Sequence, residues 1–186
     1  MTVAVHEAGH IALAVIMGRR ILFASVDPVG DTLGRVVFAE RTVLNLRDHR
    51  QVEREAALHL AGFAAEMILD RQSVPTGCDD EVFYAFRLAA KIGAGREGFV
   101  RLVHRTTRAL VAIWPTVLVV ASELQRRHRL DGLVVRQLVR RELGLRRRWK
   151  QRSRTRDSDA ESARCPLRPT PRPRGQRADE LRDRLG

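Results

Sequence analysis

Apolar residues recur at helical spacing from the start of the chain, where Ala4, Val5, Ala8, Ile11, Ala12, Val15 and Ile16 follow one another at steps of one or three positions. This pattern predicts a largely apolar, buried helix from about Thr2 to Gly18, which Gly18 and the following Arg19 and Arg20 would end. The period then shortens. Ile21 to Val26 and Gly34 to Ala39 are short runs rich in β-branched and aromatic residues, joined by Asp27-Pro28-Val29-Gly30-Asp31, and they read as a β-hairpin. Helical spacing returns with Val52, Ala56, Leu60, Phe63 and Met67, which predict a long amphipathic helix from about Asn45 to Asp70, broken by Ser73 to Gly77.

A further helix is expected from near Asp79 to about Ile92, with Val82, Phe83, Phe86 and Leu88 to Ala90 along it. Its first turn holds Asp79, Asp80 and Glu81, where the helix dipole favours negative charge, and that role alone would account for the triplet. Arg96 to Ile113, Pro115 to Arg127 and Asp131 to Leu143 complete the prediction. Pro115 suits a first helical position and Asp131 suits an N-cap. The expected fold is mainly α, of the α+β kind, with a small β-hairpin or sheet near the N-terminus.

Composition divides the chain in two. Apolar residues make up 44% of the 186 residues but thin out after about residue 145, so one core-bearing domain (1–145) and a tail (146–186) are expected. The net charge of +12 is shared unevenly, with +4 on residues 1–145 and +8 on the tail. The tail begins Arg146-Arg147-Arg148-Trp149-Lys150, carries Pro166, Pro169, Pro171 and Pro173, and has the composition of a disordered segment. Such a run can attract nucleic acid or an anionic surface, but weak, nonspecific polyanion affinity is the more economical reading. Arg outnumbers Lys 32 to 2, which a genome-wide composition bias would also produce.

The two cysteines, Cys78 and Cys165, lie far apart and form no disulfide framework. The best apolar run, Ala109 to Ala121, falls short of the roughly 18 residues a membrane span needs and contains Pro115. Met1-Thr2-Val3 lacks the basic region of a secretion signal. The expectation is a cytoplasmic protein with no membrane span.

The candidate chemistry lies in His6-Glu7-Ala8-Gly9-His10. Positions i and i+4 share a helix face, so both imidazoles can bind one ion while Glu7 stands beside it as general base. Zinc bound by three protein ligands lowers the pKa of a water from 15.7 toward about 7, which is the chemistry of peptide hydrolysis at neutral pH. Chance would produce about 0.01 such motifs in a chain with 6 His and 11 Glu, so the pattern is informative but needs context. A solvated surface helix is the bland alternative, and the apolar neighbours argue against it, because buried, unpaired His and Glu are costly. Spacing alone leaves the third ligand open among His59, Glu66, Cys78, Asp79, Asp80 and Glu81.

Four blocks in order, His6 to Ala12, Pro28 to Phe38 with Leu33-Gly34, Leu60 to Glu66, and Val74 to Cys78, resemble the proteolytic domain of the FtsH-type membrane zinc proteases. The resemblance spans roughly residues 1–143, including Leu130-Asp131-Gly132, and leaves the tail unmatched. It implies His6 and His10 as zinc ligands and Glu7 as the catalytic base. It places the third ligand on Glu81 in an ungapped alignment, or on Asp80 if the block shifts by one residue, and it makes Glu66 a supporting residue.

The chain contains no G-x-x-x-x-G-K-S/T motif, so the resemblance implies a protease domain without its own ATPase. The expected function is a zinc-dependent metalloendopeptidase acting on unfolded or flexible polypeptides, served by a separate unfoldase or ATPase partner, with substrate added along a strand edge. Two alternatives stand beside it: a catalytically inactive protease-like interaction module, and a basic nucleic-acid-associated protein.

Overall fold

Helix α1 (Thr2–Ile16) is the axis of the fold, and Ala4, Val5, Ala8, Ile11, Ala12 and Ala14 along it are all buried. The computed structural model describes residues 2–30, 32–40, 43–70 and 79–144. The breaker Ser73 to Gly77, Cys78, and the tail with Cys165 lie outside these residues. Strands β1 (Ile21–Ser25) and β2 (Arg35–Phe38) follow α1, then α2 (His49–Leu69), α3 (Asp79–Lys91), α4 (Gly95–Ala112), α5 (Trp114–Arg127), β3 (Arg129–Asp131) and α6 (132–144). The chain is mainly helical with a small antiparallel sheet, as its hydrophobic periodicity predicts.

Helix α1 ends two residues earlier than expected. Gly18 adopts φ of 78°, its N–H bonds the Val15 carbonyl, and the Arg19 N–H bonds that of Ala14, so the left-handed residue closes the helix just outside it. Helix α2 starts at His49, later than the expected Asn45, because the Asp48 side chain accepts from the Gln51 N–H at 3.1 Å and caps the first turn. The other helix ends fall within one residue of the predicted ones.

The sheet order is β2-β1-β3, with both pairings antiparallel. The β1–β2 hairpin was expected, and β3 was not. Residue Asp131, assigned to a helix cap, is the last residue of β3 and immediately precedes α6. Three residues are too few to show a period of two, so β3 exists only through its pairing with β1. The start of α6 presses on that strand, since a Cβ on Gly132 would overlap the Ile21 carbonyl.

Two apolar clusters meet on α2. One joins α1, β1, α2, α5, β3 and α6 through Ile11, Ala24, Leu58, Val117, Leu124, Leu130 and Val135. The other joins α2, α3 and α4 through Val52, Leu60, Ala85, Leu88 and Leu102. Helix α2 thus connects α1, which carries the zinc-type motif, to α3, which carries the acidic triplet. Among the described residues no single helix is long and apolar enough to cross a membrane.

Candidate metal centre

Small residues set the distance between α1 and α2. A Cβ on Gly9 would stand 2.5 Å from the Ala61 carbonyl oxygen and 2.8 Å from Ala65 Cβ, so only glycine allows this approach. The close crossing brings the two histidines against a row on α2, Leu58, Gly62 and Glu66, whose four-residue spacing places them on one face. His10 Nδ1 lies 2.8 Å from the Leu58 carbonyl oxygen, and His6 Nδ1 lies 2.8 Å from Glu66 Oε1. Gly62 falls between them, facing both Nε2 atoms, where a Cβ would overlap the rings.

These partners determine the tautomers. A carbonyl oxygen and an ionised carboxylate only accept, so both Nδ1 atoms carry hydrogen and donate. In the neutral rings each Nε2 is then a bare lone pair. The two Nε2 atoms stand 3.1 Å apart, and Glu81 Oε2 stands 3.2 Å from each. Three acceptors converge on one point without a donor among them, at a cost of about 1–3 kcal/mol for each one left unsatisfied. A cation resolves this arrangement. Donor atoms around a tetrahedral ion with bonds of about 2.0–2.1 Å are about 3.3 Å apart, close to the observed spacing.

In the absence of metal a proton takes that place. Burial lowers the His6 pKa, but the hydrogen bond and charge of Glu81, the charge of Glu7 and the hydrogen bond to Glu66 outweigh it and raise it to about 9. Glu81 responds in the opposite sense. Burial pushes its carboxyl up, yet the hydrogen bonds and charges of His10 and His6 hold it well below the usual carboxylate range.

Of the third-ligand candidates, Glu81 alone among the described residues meets the two Nε2 atoms, the position an ungapped alignment gives it. Asp80, its neighbour on α3, is exposed and outside the convergent group. Helix-end electrostatics therefore does not account for Glu81. Glu66 is buried and acts on the outer nitrogen of His6 as a supporting carboxylate. His59 packs edge-on against Tyr84 with ring centroids 4.6 Å apart, and burial lowers its pKa despite the charge of Glu55. Cys78 and the Asp79 side chain lie outside the described residues.

Glu7 lies against the residue that precedes β2. It is 6% exposed, and a Cβ on Gly34, the residue before β2, would stand 2.6 Å from Glu7 Oε1. Burial raises the Glu7 carboxyl above its ordinary value, with the His10 and His6 charges only partly opposing it. A raised carboxyl suits a group that must take up and then release a proton near neutral pH.

Gly34, Leu58 and Gly62 shape this centre, yet residue chemistry gives none of them a role. The available signal is Gly62 itself, a glycine inside a long helix, where it costs about 1 kcal/mol relative to alanine unless close approach requires it. The Leu58 contribution is a main-chain carbonyl and leaves no trace in side-chain type. No protein-family model matches this chain, and it has no significant match among curated proteins.

Proposed function

We propose that the chain is a zinc-dependent metalloendopeptidase that hydrolyses unfolded or flexible polypeptides, with a proteolytic domain of the FtsH type. The observation that carries this reading is the convergence of His6 Nε2, His10 Nε2 and Glu81 Oε2, with both tautomers held by Glu66 and the Leu58 carbonyl. Two imidazoles and one carboxylate are a zinc donor set, and three protein ligands leave a position for water. Zinc held there supplies Lewis-acid polarisation and a water of lowered pKa.

The remaining steps belong to the protein. Glu7 takes a proton from the attacking water as its oxygen bonds to the peptide carbonyl carbon, then passes that proton to the amide nitrogen as the C–N bond breaks. Gly34 brings the start of β2 against Glu7, so a peptide aligned with β2 passes the base. On the side away from β1, strand β2 has no partner among the described residues, and its free N–H and C=O groups suit an extended chain added as a further strand. Strand addition requires extended backbone, which favours unfolded substrates over folded ones.

The test measures zinc content and degradation of an unfolded casein-like substrate for the wild type and Glu7→Gln. One zinc per chain in both proteins is expected, with activity in the wild type only. Zinc-loaded wild-type protein without peptidase activity would favour an inactive interaction module, and full activity in Glu7→Gln would rule out the mechanism.

A further inference from the structure

We propose that Arg35 makes the β2 edge selective for acidic side chains, so that the enzyme prefers Asp or Glu beside the bond it cleaves. This inference rests on the edge-strand peptidase reading and deepens it.

Alternation along β2 divides its residues between two faces. Gly34 meets Glu7, while Val36 and Phe38 pack against the main core. Arg35 and Val37 therefore face the opposite, outer side of the sheet, and Arg35 is exposed. Ser25 on β1 pairs with Arg35 on one side and Arg129 of β3 on the other. The guanidinium carbon of Arg35 lies 5.3 Å from the Phe23 ring centroid, and that of Arg129 lies 3.9 Å from it. One aromatic ring on the central strand thus holds a cation from each flanking strand.

The described ion pairs include neither of these arginines, whereas nearby Arg20 engages Glu40, and Arg126 and Arg127 both engage Glu123. Among the described residues, two carboxylates at the outer side of the sheet are Asp131 and Asp27. Asp131 pairs with Phe23 across β1–β3, on the strand of Arg129, and Asp27 engages His128 and Ser25. Both lie toward the β3 side or the β1 end. Arg35 sits on the free edge, where an added strand would place a side chain about 4.5–5.5 Å from it.

The position opposite Arg35 is adjacent to the one opposite Gly34, which lies against the base. The side chain read by Arg35 therefore neighbours the scissile bond. An opposite-charge cross-strand pair corresponds to about a 1.4- to fivefold preference, and a like charge opposes binding to a similar degree. The effect weakens with salt because Arg35 is exposed.

The test uses the full zinc-loaded chain and unstructured peptides that are identical except for Glu, Gln or Lys placed at one position at a time. Mass spectrometry locates each cut, and kcat/KM is measured for each peptide. Next to the scissile bond, Glu should exceed Gln and Gln should exceed Lys, with a Glu-to-Lys ratio of at least about twofold that falls in high salt. Arg35→Gln should remove the preference and Arg35→Glu should reverse it, each at unchanged zinc content. Cleavage indifferent to charge at every position, or a Glu preference that survives Arg35→Glu, overturns this inference and leaves the peptidase reading standing. Zinc-loaded wild type that cuts no peptide overturns both.

Discussion

Gly62 on α2 faces His6 across the centre so closely that a methyl group on Gly62 would overlap the His6 ring and His10 Nε2. Only glycine therefore leaves room at position 62 for the two imidazoles to sit this close to α2. In Gly62→Ala the added methyl occupies that space, while alanine favours the helix by up to about 1 kcal/mol. Zinc binding should be lost with helical content retained, as read by elemental analysis and circular dichroism. Stoichiometric zinc in the folded variant would mean that the ion binds elsewhere.

Glu81 and Asp80 are neighbours with opposite surroundings. Glu81 Oε2 lies 3.2 Å from both imidazoles, whereas Asp80 is exposed. Glu81→Gln should therefore abolish stoichiometric zinc and peptidase activity, while Asp80→Asn retains both within about twofold, since exposed charges contribute little. Loss of zinc in Asp80→Asn would assign the third ligand to the other carboxylate.

In the proposed centre, Glu66 acts one step removed from the ion. Its Oε1 accepts from His6 Nδ1 at 2.8 Å, which orients the ring and makes Nε2 more basic. Glu66→Gln retains an acceptor but loses the charge. Zinc affinity should fall about 10- to 100-fold without being abolished. Competition with a chromogenic chelator measures the change, and an unaltered affinity would reduce Glu66 to a packing residue.

In the proposed centre, metal and proton compete for His6. Without metal its folded-state value of about 9 exceeds the ordinary 6.5, so protonation stabilises the fold fully below pH 6.5 and the contribution is lost as pH rises through about 9. Zinc requires the neutral ring, and its effect has the opposite sign. The difference in Tm between zinc-loaded and chelator-treated protein should therefore widen between pH 6.5 and 8.5. A constant or narrowing difference would show that His6 does not exchange its proton for the metal.

The sequence and the structure agree where interactions are local. Helix α1 is readable from Ala4 to Ile16 because a 3.6-residue period needs no distant partner, and His6 and His10 share a face for the same reason. The hairpin is also visible, since β-branched runs flank a turn only a few residues long. Strand β3 is not, because its three residues become a strand only beside β1.

At the centre, the sequence by itself picked out His6, Glu7 and His10 and the helix that presents them. It left six candidates for a third partner, among which the family resemblance favoured Glu81 or Asp80. Only the tertiary structure brought Glu81 rather than Asp80 to the two imidazoles, set Glu66 and the Leu58 carbonyl on their Nδ1 atoms, and brought Gly34 to Glu7. Each of these depends on how closely α1 approaches α2, α3 and β2. Gly9, Gly34 and Gly62, where a Cβ would overlap a neighbour, allow the close approach of α1 to α2 and β2, and these contacts join residues far apart in the chain.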